Sequence, residues 1–323
     1  MLSPHRPRRP GFTLVELLVM IAFMVILLGL LIPAVQRIRE SSDRMVCSNH
    51  LKQIGEGFHR FRDAKGYLPD GGKNACDAPY NPLMPPKFRW MCDAAIANPA
   101  NIYAWNLPFA PFGPIAQRRS EWSWPYQILP YVQQEALFNH PSDLHLTKTP
   151  LKFYTCPTRR PSQLFAKHSV IDYAGCAGTS NSNGMVVRMG LGPIGLADVT
   201  DGLSNTVMVA EKRLKRDRFG VSYDDNESWA NPGWDTEIYR QAVADKDRPE
   251  GDRGPSPDIS RTEPTAFGEP NLGLNQFGSS HPKGINAVLG DGSIRFIRFG
   301  PNPGSFERHC IRNDGIMWNA NNF

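Results

Sequence analysis

Gly11-Phe12-Thr13-Leu14-Val15-Glu16-Leu17-Leu18 opens an apolar run that continues to Ile32, and residues 12–32 carry a single charge, that of Glu16. At about 1.5 Å per residue, a helix over this run reaches ~31 Å, matching the roughly 30 Å hydrocarbon core of a bilayer. A helix inside a soluble protein is seldom apolar on every side for so long. The run therefore predicts a transmembrane helix over residues 12–32.

The flanks set its orientation. Residues 1–11 form a short basic leader with Arg6, Arg8 and Arg9 and no acidic residue. Lys and Arg stay on the cytoplasmic side, which places the N-terminus inside and the rest of the chain outside, as a single-pass protein with an extracytoplasmic main domain in the periplasm or at the cell surface. A cleaved secretory signal has an apolar region of about 7–15 residues followed by a small-residue site. This run is longer, and Leu30-Leu31-Ile32-Pro33 offers no such site.

Glu16 distinguishes the run from a plain anchor. A carboxylate at the centre of a spanning helix costs about 2.5–3.5 kcal/mol, less near an end, so its presence points to function. If the chain is cut between Gly11 and Phe12, the new amine lies one helical turn from Glu16, which can neutralise it or the amine of a neighbouring copy. Gly11 to Leu18 resembles the processing site of the type IV prepilin and pseudopilin superfamily. The resemblance implies a prepilin peptidase that cuts after Gly11 and methylates the amine of Phe12, with Glu16 guiding assembly alongside other pilin-like subunits. Pro33, the 22nd residue from Phe12, stands where pilins often carry a helix-loosening proline.

Past Pro33 the apolar residues Val35, Ile38, Met45, Leu51, Ile54, Phe58 and Phe61 recur at helical steps among charged ones. Residues 33–65 are thus an amphipathic continuation, one helix from about Phe12 to Asp63, ended by Gly66 and Pro69-Asp70-Gly71-Gly72; His50 and His59 fall on its solvated face. Residues 66–323 are the extracytoplasmic α+β domain. Within it, about 74–119 form a Pro-rich insertion with eight prolines, and about 224–275 a polar loop. Gln127–Phe138 reads as a brief helix, and Leu151–Thr155, Ile171–Ala174, Met185–Val187 and Thr206–Ala210 as strands. Ile285 to Ile297 reads as a hairpin on the Asp291-Gly292 turn. The expected fold is pilin-like, a long N-terminal helix packed on an antiparallel β-sheet with long loops.

The net charge of +5 falls to +2 without the three leader arginines, so the basic excess is an orientation signal and nucleic acid is not an expected partner. Six cysteines lie on the oxidising side of the membrane. Cys76 with Cys92, which bracket the Pro-rich segment, and Cys47 with Cys156 are the candidate disulfide pairs. No two have Cys-x-x-Cys spacing, so no metal site is expected from the cysteines. Asp198, Asp201 and Asn205 offer oxygens of the kind calcium takes, but turn and capping roles account for the same residues. The sequence lacks a Gly-x-Ser-x-Gly elbow, a His-Glu-x-x-His helix and a phosphate-binding Gly-rich loop, so no enzyme and no cofactor is expected. Asp224, Asp225 and Glu227 read as solvated loop carboxylates, and His281 as a histidine bonded to nearby backbone.

A second resemblance extends over nearly the whole chain. Cys47-Ser-Asn-His-Leu-Lys-Gln-Ile, Trp122-Ser-Trp-Pro with Leu129-Pro-Tyr, Cys156-Pro, Asp172-Tyr-Ala-Gly, Thr200-Asp-Gly-Leu-Ser-Asn-Thr and the ending His281-x9-Asp291-Gly292 look like the bacterial family labelled domain of unknown function 1559. That resemblance implies a pseudopilin-like, membrane-inserted, exported protein and supplies no catalytic residue. With a domain of over 250 residues, it suggests a minor or cargo-presenting component of a type II secretion or type IV pilus-like filament. The alternative is a signal-anchored surface protein that binds a ligand such as a glycan through the aromatic-rich insertion and joins no filament.

Overall fold

The computed structural model describes residues 13–73, 119–180, 182–222, 225, 228–230, 233–242, 254–258, 276–300 and 303–316. The leader, Gly11, Phe12, Cys76, Cys92 and nearly all of the Pro-rich insertion lie outside them. The chain divides into two compact units, residues 1–43 and 44–323, and helix α1, Leu14–Lys65, contributes to both. Its ends fall within two residues of those expected.

In the first unit α1 is exposed at every position from 14 to 39. Its first part is long and apolar enough to cross a membrane. Thr13 and Glu16 make a reciprocal cap at its start. The Thr13 N–H and hydroxyl donate to Glu16 Oε2 at 2.9 and 2.8 Å, and the Glu16 N–H donates to Thr13 Oγ1 at 3.3 Å. Two of the four orphan N–H groups of a helix start are thereby satisfied.

In the second unit α1 buries Cys47, Leu51, Ile54, Phe58 and Phe61, a stripe with alternating steps of four and three. Met45, by contrast, is 64% exposed, as are Val35 and Ile38 in the first unit at 59% and 69%. At about 100° per residue, Cys47 lies roughly 200° round the helix from Met45, so the stripe expected at 35–45 is not the one that packs. Gly55 and Gly57, which weaken helix propensity, sit where α1 packs closely against Val288 and Val132. A Cβ on Gly55 would come within 2.7 Å of Val288 Cγ2, and one on Gly57 within 2.7 Å of Val132 Cγ1. The helix ends at Gly66, whose φ of +87° only glycine adopts readily.

The central sheet has five strands: β3 (Tyr173–Cys176), β4 (Val207–Glu211), β5 (Tyr239–Arg240), β8 (Gly284–Leu289) and β9 (Ile294–Arg298), in the order β5-β3-β4-β8-β9. All neighbours are antiparallel except β5, which runs parallel to β3, so the expected antiparallel sheet carries one parallel edge. Two small pairs complete the strands: antiparallel β1 (Leu164–Phe165) with β2 (His168–Ser169), and parallel β6 (Ser256–Pro257) with β7 (Gly278–Ser279). Every residue of β8 is buried because both faces are covered. Val288 joins a core with Leu51, Ile54, Phe58, Trp124 and Tyr173. Ile285, Ala287 and Leu289 face Phe277, Phe306 and Cys310.

Several local expectations are corrected. Residues 124–138 form helices α2 (Trp124–Gln127) and α3 (Glu135–Phe138) around a 3-10 turn, Leu129–Val132, instead of one helix. Pro130 lacks an N–H, and Gln133 turns to φ +63°, breaking the run. Leu151–Thr155 is not a strand; its centre, Lys152–Tyr154, is a 3-10 turn. Met185–Val187 is buried without strand pairing, and the strand expected at 171–174 is shifted to Tyr173–Cys176. Helix α4 (Asp143–Thr147), helix α5 (Pro303–Cys310) and β5 and β6 inside the supposed polar loop had no strong periodic signal.

Candidate functional site

Four segments remote in sequence bring chemistry to one buried place. The second half of α1 supplies Cys47, the turn leading to Pro157 supplies Cys156, the end of β4 supplies Glu211, and the approach to β8 supplies His281. Their ligand atoms all lie within 4.8 Å of one another. The two sulfurs are 2.7 Å apart, both as free thiols. His281 Nε2 is 3.6 Å from Cys156 Sγ and 3.1 Å from Glu211 Oε1. The side chains of Glu211 and His281 are fully buried, as are both cysteines.

The strands explain why these groups meet. In β4, Glu211 follows Ala210 onto the opposite face, the one that meets α1, and it pairs in register with Tyr173. Asn286 of β8 holds it there: the Asn286 backbone N–H donates to Glu211 Oε2 at 2.8 Å and Nδ2 to Oε1 at 3.3 Å. Ser48, next to Cys47 on α1, donates to Asn286 Oδ1 at 3.1 Å. The carboxylate is thus oriented from behind, its Oε1 turned to His281.

Electrostatics follow from that burial. Desolvation opposes charge on His281, but Cys156 and Glu211 outweigh it and push its pKa up to about 11. Burial alone would raise Glu211, and the hydrogen bond and charge of His281 reverse this and hold it below the usual carboxylate range. Burial pushes the Cys156 thiol well up. The site is therefore a buried imidazolium–carboxylate pair against two thiols. Chemically it offers two sulfurs, one nitrogen and one oxygen to a cation, or two thiols to oxidation.

Behind it lies a buried ion network. Arg159 grips Asp258 with Nε and Nη2 at 2.8 and 3.1 Å, and Arg160 reaches Asp172 Oδ1 at 2.6 Å and also Asp225. Asp172 Oδ2 in turn accepts the N–H of Cys156 at 2.7 Å, so the network fixes the backbone that presents this thiol. Asp225, expected to be solvated, is 1% exposed because Arg160 and Lys212 draw it inward; Asp224 and Glu227 lie outside the described residues.

The other singled-out residues serve local structure. Asp291 accepts from the Ser293 N–H and hydroxyl at 2.9 and 2.6 Å within the hairpin turn, where Gly292 has φ +82°. His281, ten residues back, lies at the opposite end of β8 and has no direct bond to Asp291 among the described contacts. Its Nε2 lies against Glu211 and Cys156. Asp198 accepts the Gly195 N–H at 2.7 Å, and Asp201 accepts from Asp314 and Gly315 at 2.7 and 2.9 Å, while Asn205 Nδ2 donates to the Asp201 carbonyl at 3.1 Å. These are capping and tethering roles. His50, expected in solvent, is half-buried with Nδ1 3.1 Å from the Thr155 carbonyl, and His59 is half-buried near Gly292. Trp122 and Trp124 are 1% and 0% exposed; the Trp124 indole donates to the Ile238 carbonyl at 2.8 Å.

Sequence reasoning foresaw only the approach of Cys47 to Cys156. Ruling out a metal site from Cys-x-x-Cys spacing tests ligands close in sequence, and this set spans residues 47 to 281. A signal was present: Cys47, Cys156 and His281 each stand in a motif quoted above, and Glu211 closes the apolar run 207–210.

A family model described as a protein of unknown function (DUF1559) matches residues 36–298. No curated protein and no solved structure matches the chain.

Proposed function

The chain belongs to the DUF1559 family, and from that premise we propose that it is an anchored, exported subunit assembling through α1 into a pilin-like filament. The observation that carries this reading is α1 itself. It is a single helix from Leu14 to Lys65, apolar and exposed where it would meet lipid and built into a globular core from Cys47 onward. Glu16 is the only charge in its first 19 residues, 14 to 32.

A prepilin peptidase hydrolyses the Gly11–Phe12 bond, releasing the leader and leaving an amine on Phe12 that becomes methylated. The cap supports a role for Glu16 at that amine, because its carboxylate already accepts the N–H of Thr13, the next residue along. In a neighbouring copy the same carboxylate sets the axial register. Helices in lipid gain no hydrophobic drive toward one another, so packing and such polar pairs decide how they bundle. The large outer domain fits a minor or cargo-presenting subunit without catalytic activity. Trp122 and Trp124, next to the insertion, have their rings inside the core, while Trp90 and Trp105 within it lie outside the described residues.

Glu16→Gln tests the reading. Gln keeps the capping box and removes the charge. The variant is expected to insert and fold normally yet disappear from the sheared, high-mass filament fraction of cells. Equal recovery of variant and wild type in that fraction contradicts the assembly role.

A further inference from the structure

We propose that Cys47, Cys156, Glu211 and His281 form a structural zinc site that clamps the second half of α1 to the sheet. The four ligand atoms converge within 4.8 Å of one another in a fully buried position. Zinc accepts this mixture of sulfur, nitrogen and oxygen, and its structural sites are closed, with four protein ligands. The two thiolates disfavour magnesium and calcium, which take oxygen, and the carboxylate disfavours copper(I).

The arrangement of His281 and Glu211 decides between a metal and a disulfide. Two sulfurs bound to one zinc at about 2.3 Å stand ~3.8 Å apart, whereas a disulfide needs about 2.05 Å. The observed 2.7 Å is nearer the disulfide separation than the zinc-bound one, so the sulfurs by themselves do not select the metal. A disulfide, however, leaves unused the nitrogen and the oxygen that the paired His281 and Glu211 bring beside the sulfurs. His281 Nε2 faces Cys156 Sγ and Glu211 Oε1 together, and as a single nitrogen it has one N–H to give. A cation at the centre serves all four groups.

The surroundings are those of a metal site. Asn286 holds both oxygens of Glu211, and Ser48 holds Asn286. Such outer partners orient ligands and commonly affect metal affinity by about 10–100-fold. The four ligands join α1, the 156–157 turn, β4 and the start of β8, so metal binding contributes directly to folding of the second unit. The inference does not depend on filament assembly.

The test uses the full chain, extracted from native membranes in detergent without chelator or reductant. Zinc content is measured by elemental mass spectrometry, and thiols are counted by alkylation under denaturing conditions. The expected result is one zinc per chain, with Cys47 and Cys156 alkylated without prior reduction. After chelation, cobalt(II) should restore a thiolate-to-cobalt absorption band in the near ultraviolet. Cys156→Ser should weaken that band and His281→Gln should shift its ligand-field bands. Because loss of a buried ligand can itself unfold the domain, the wild-type zinc and thiol counts stand as the primary readout. A Cys47–Cys156 disulfide peptide, or free thiols in a chain that takes up neither zinc nor cobalt, overturns the proposal.

Discussion

The two stretches of α1 share one helix and obey different rules. From 14 to 39 every side chain is exposed, apolar residues ring the axis as far as Ile32, and Glu16 in the first turn is the one charge before Arg37. From 44 to 65 the helix is amphipathic, with charged residues outside and Cys47, Leu51, Ile54, Phe58 and Phe61 inside. The first pattern is what a helix needs when its solvent is lipid; the second is what it needs when half its surface is a protein core. Function divides in the same way. On the reading proposed above, the first stretch serves processing and assembly, and the second brings Cys47 into the buried cluster of the domain.

Substitutions at matched residue types test this division. Phe58 is fully buried and Phe23 is 63% exposed. Phe58→Ala is expected to destabilise the globular unit by about 3–5 kcal/mol, against less than about 0.5 kcal/mol for Phe23→Ala. Urea unfolding of the full chain in detergent, followed by the fluorescence of its buried tryptophans, reads both. Equal losses would erase the distinction.

The glycines sharpen it. A Cβ at Gly55 meets Val288 Cγ2 at 2.7 Å, whereas one at Gly29 meets nothing within 4 Å. Gly55→Ala should cost about 1–3 kcal/mol by overpacking, less the gain of about 1 kcal/mol in helix propensity. Gly29→Ala should leave the domain's unfolding unchanged. If Gly55→Ala is stabilising, the close approach of α1 to β8 is wrong.

The smallest effect concerns pH. Burial holds His59, His168 and His309 below the ordinary histidine value of 6.5, with Arg62 adding to the effect at His59. A folded pKa below the unfolded one gives stability that is full above pH 6.5 and lost as pH falls beneath it. His168→Gln should therefore reduce the loss of stability between about pH 7.5 and about pH 5.5, a range over which His281, with its raised pKa, acts in the opposite direction. Membrane retention should not change, because residues 13–43 contain no histidine. A His168→Gln variant whose urea midpoint varies with pH as the wild type's does contradicts this assignment.

What could be read in the sequence was what is local. The apolar run and its Glu16, the end of α1 at Gly66, the strand at 207–210 and the Asp291-Gly292 hairpin each carry their signal within a few residues. Strands β5 and β6 have two residues each and owe their existence to partners, Tyr173–Cys176 and Gly278–Ser279 respectively. Leu151–Thr155 has the composition of a strand, yet Pro150 and Pro157 bracket it and it coils into a 3-10 turn. The buried cluster was illegible for the same reason. Glu211 looks like the start of a charged Glu-Lys-Arg turn until β8 covers it. His281 looks like a loop histidine until the chain returns beside Cys156.

The proposed function of the first stretch rests on processing at Gly11–Phe12, and the mass of the N-terminal peptide from native membranes tests it most directly. The account predicts a mature chain that begins at N-methyl-Phe12. A chain that retains Met1, or one that begins beyond Ile32, contradicts it.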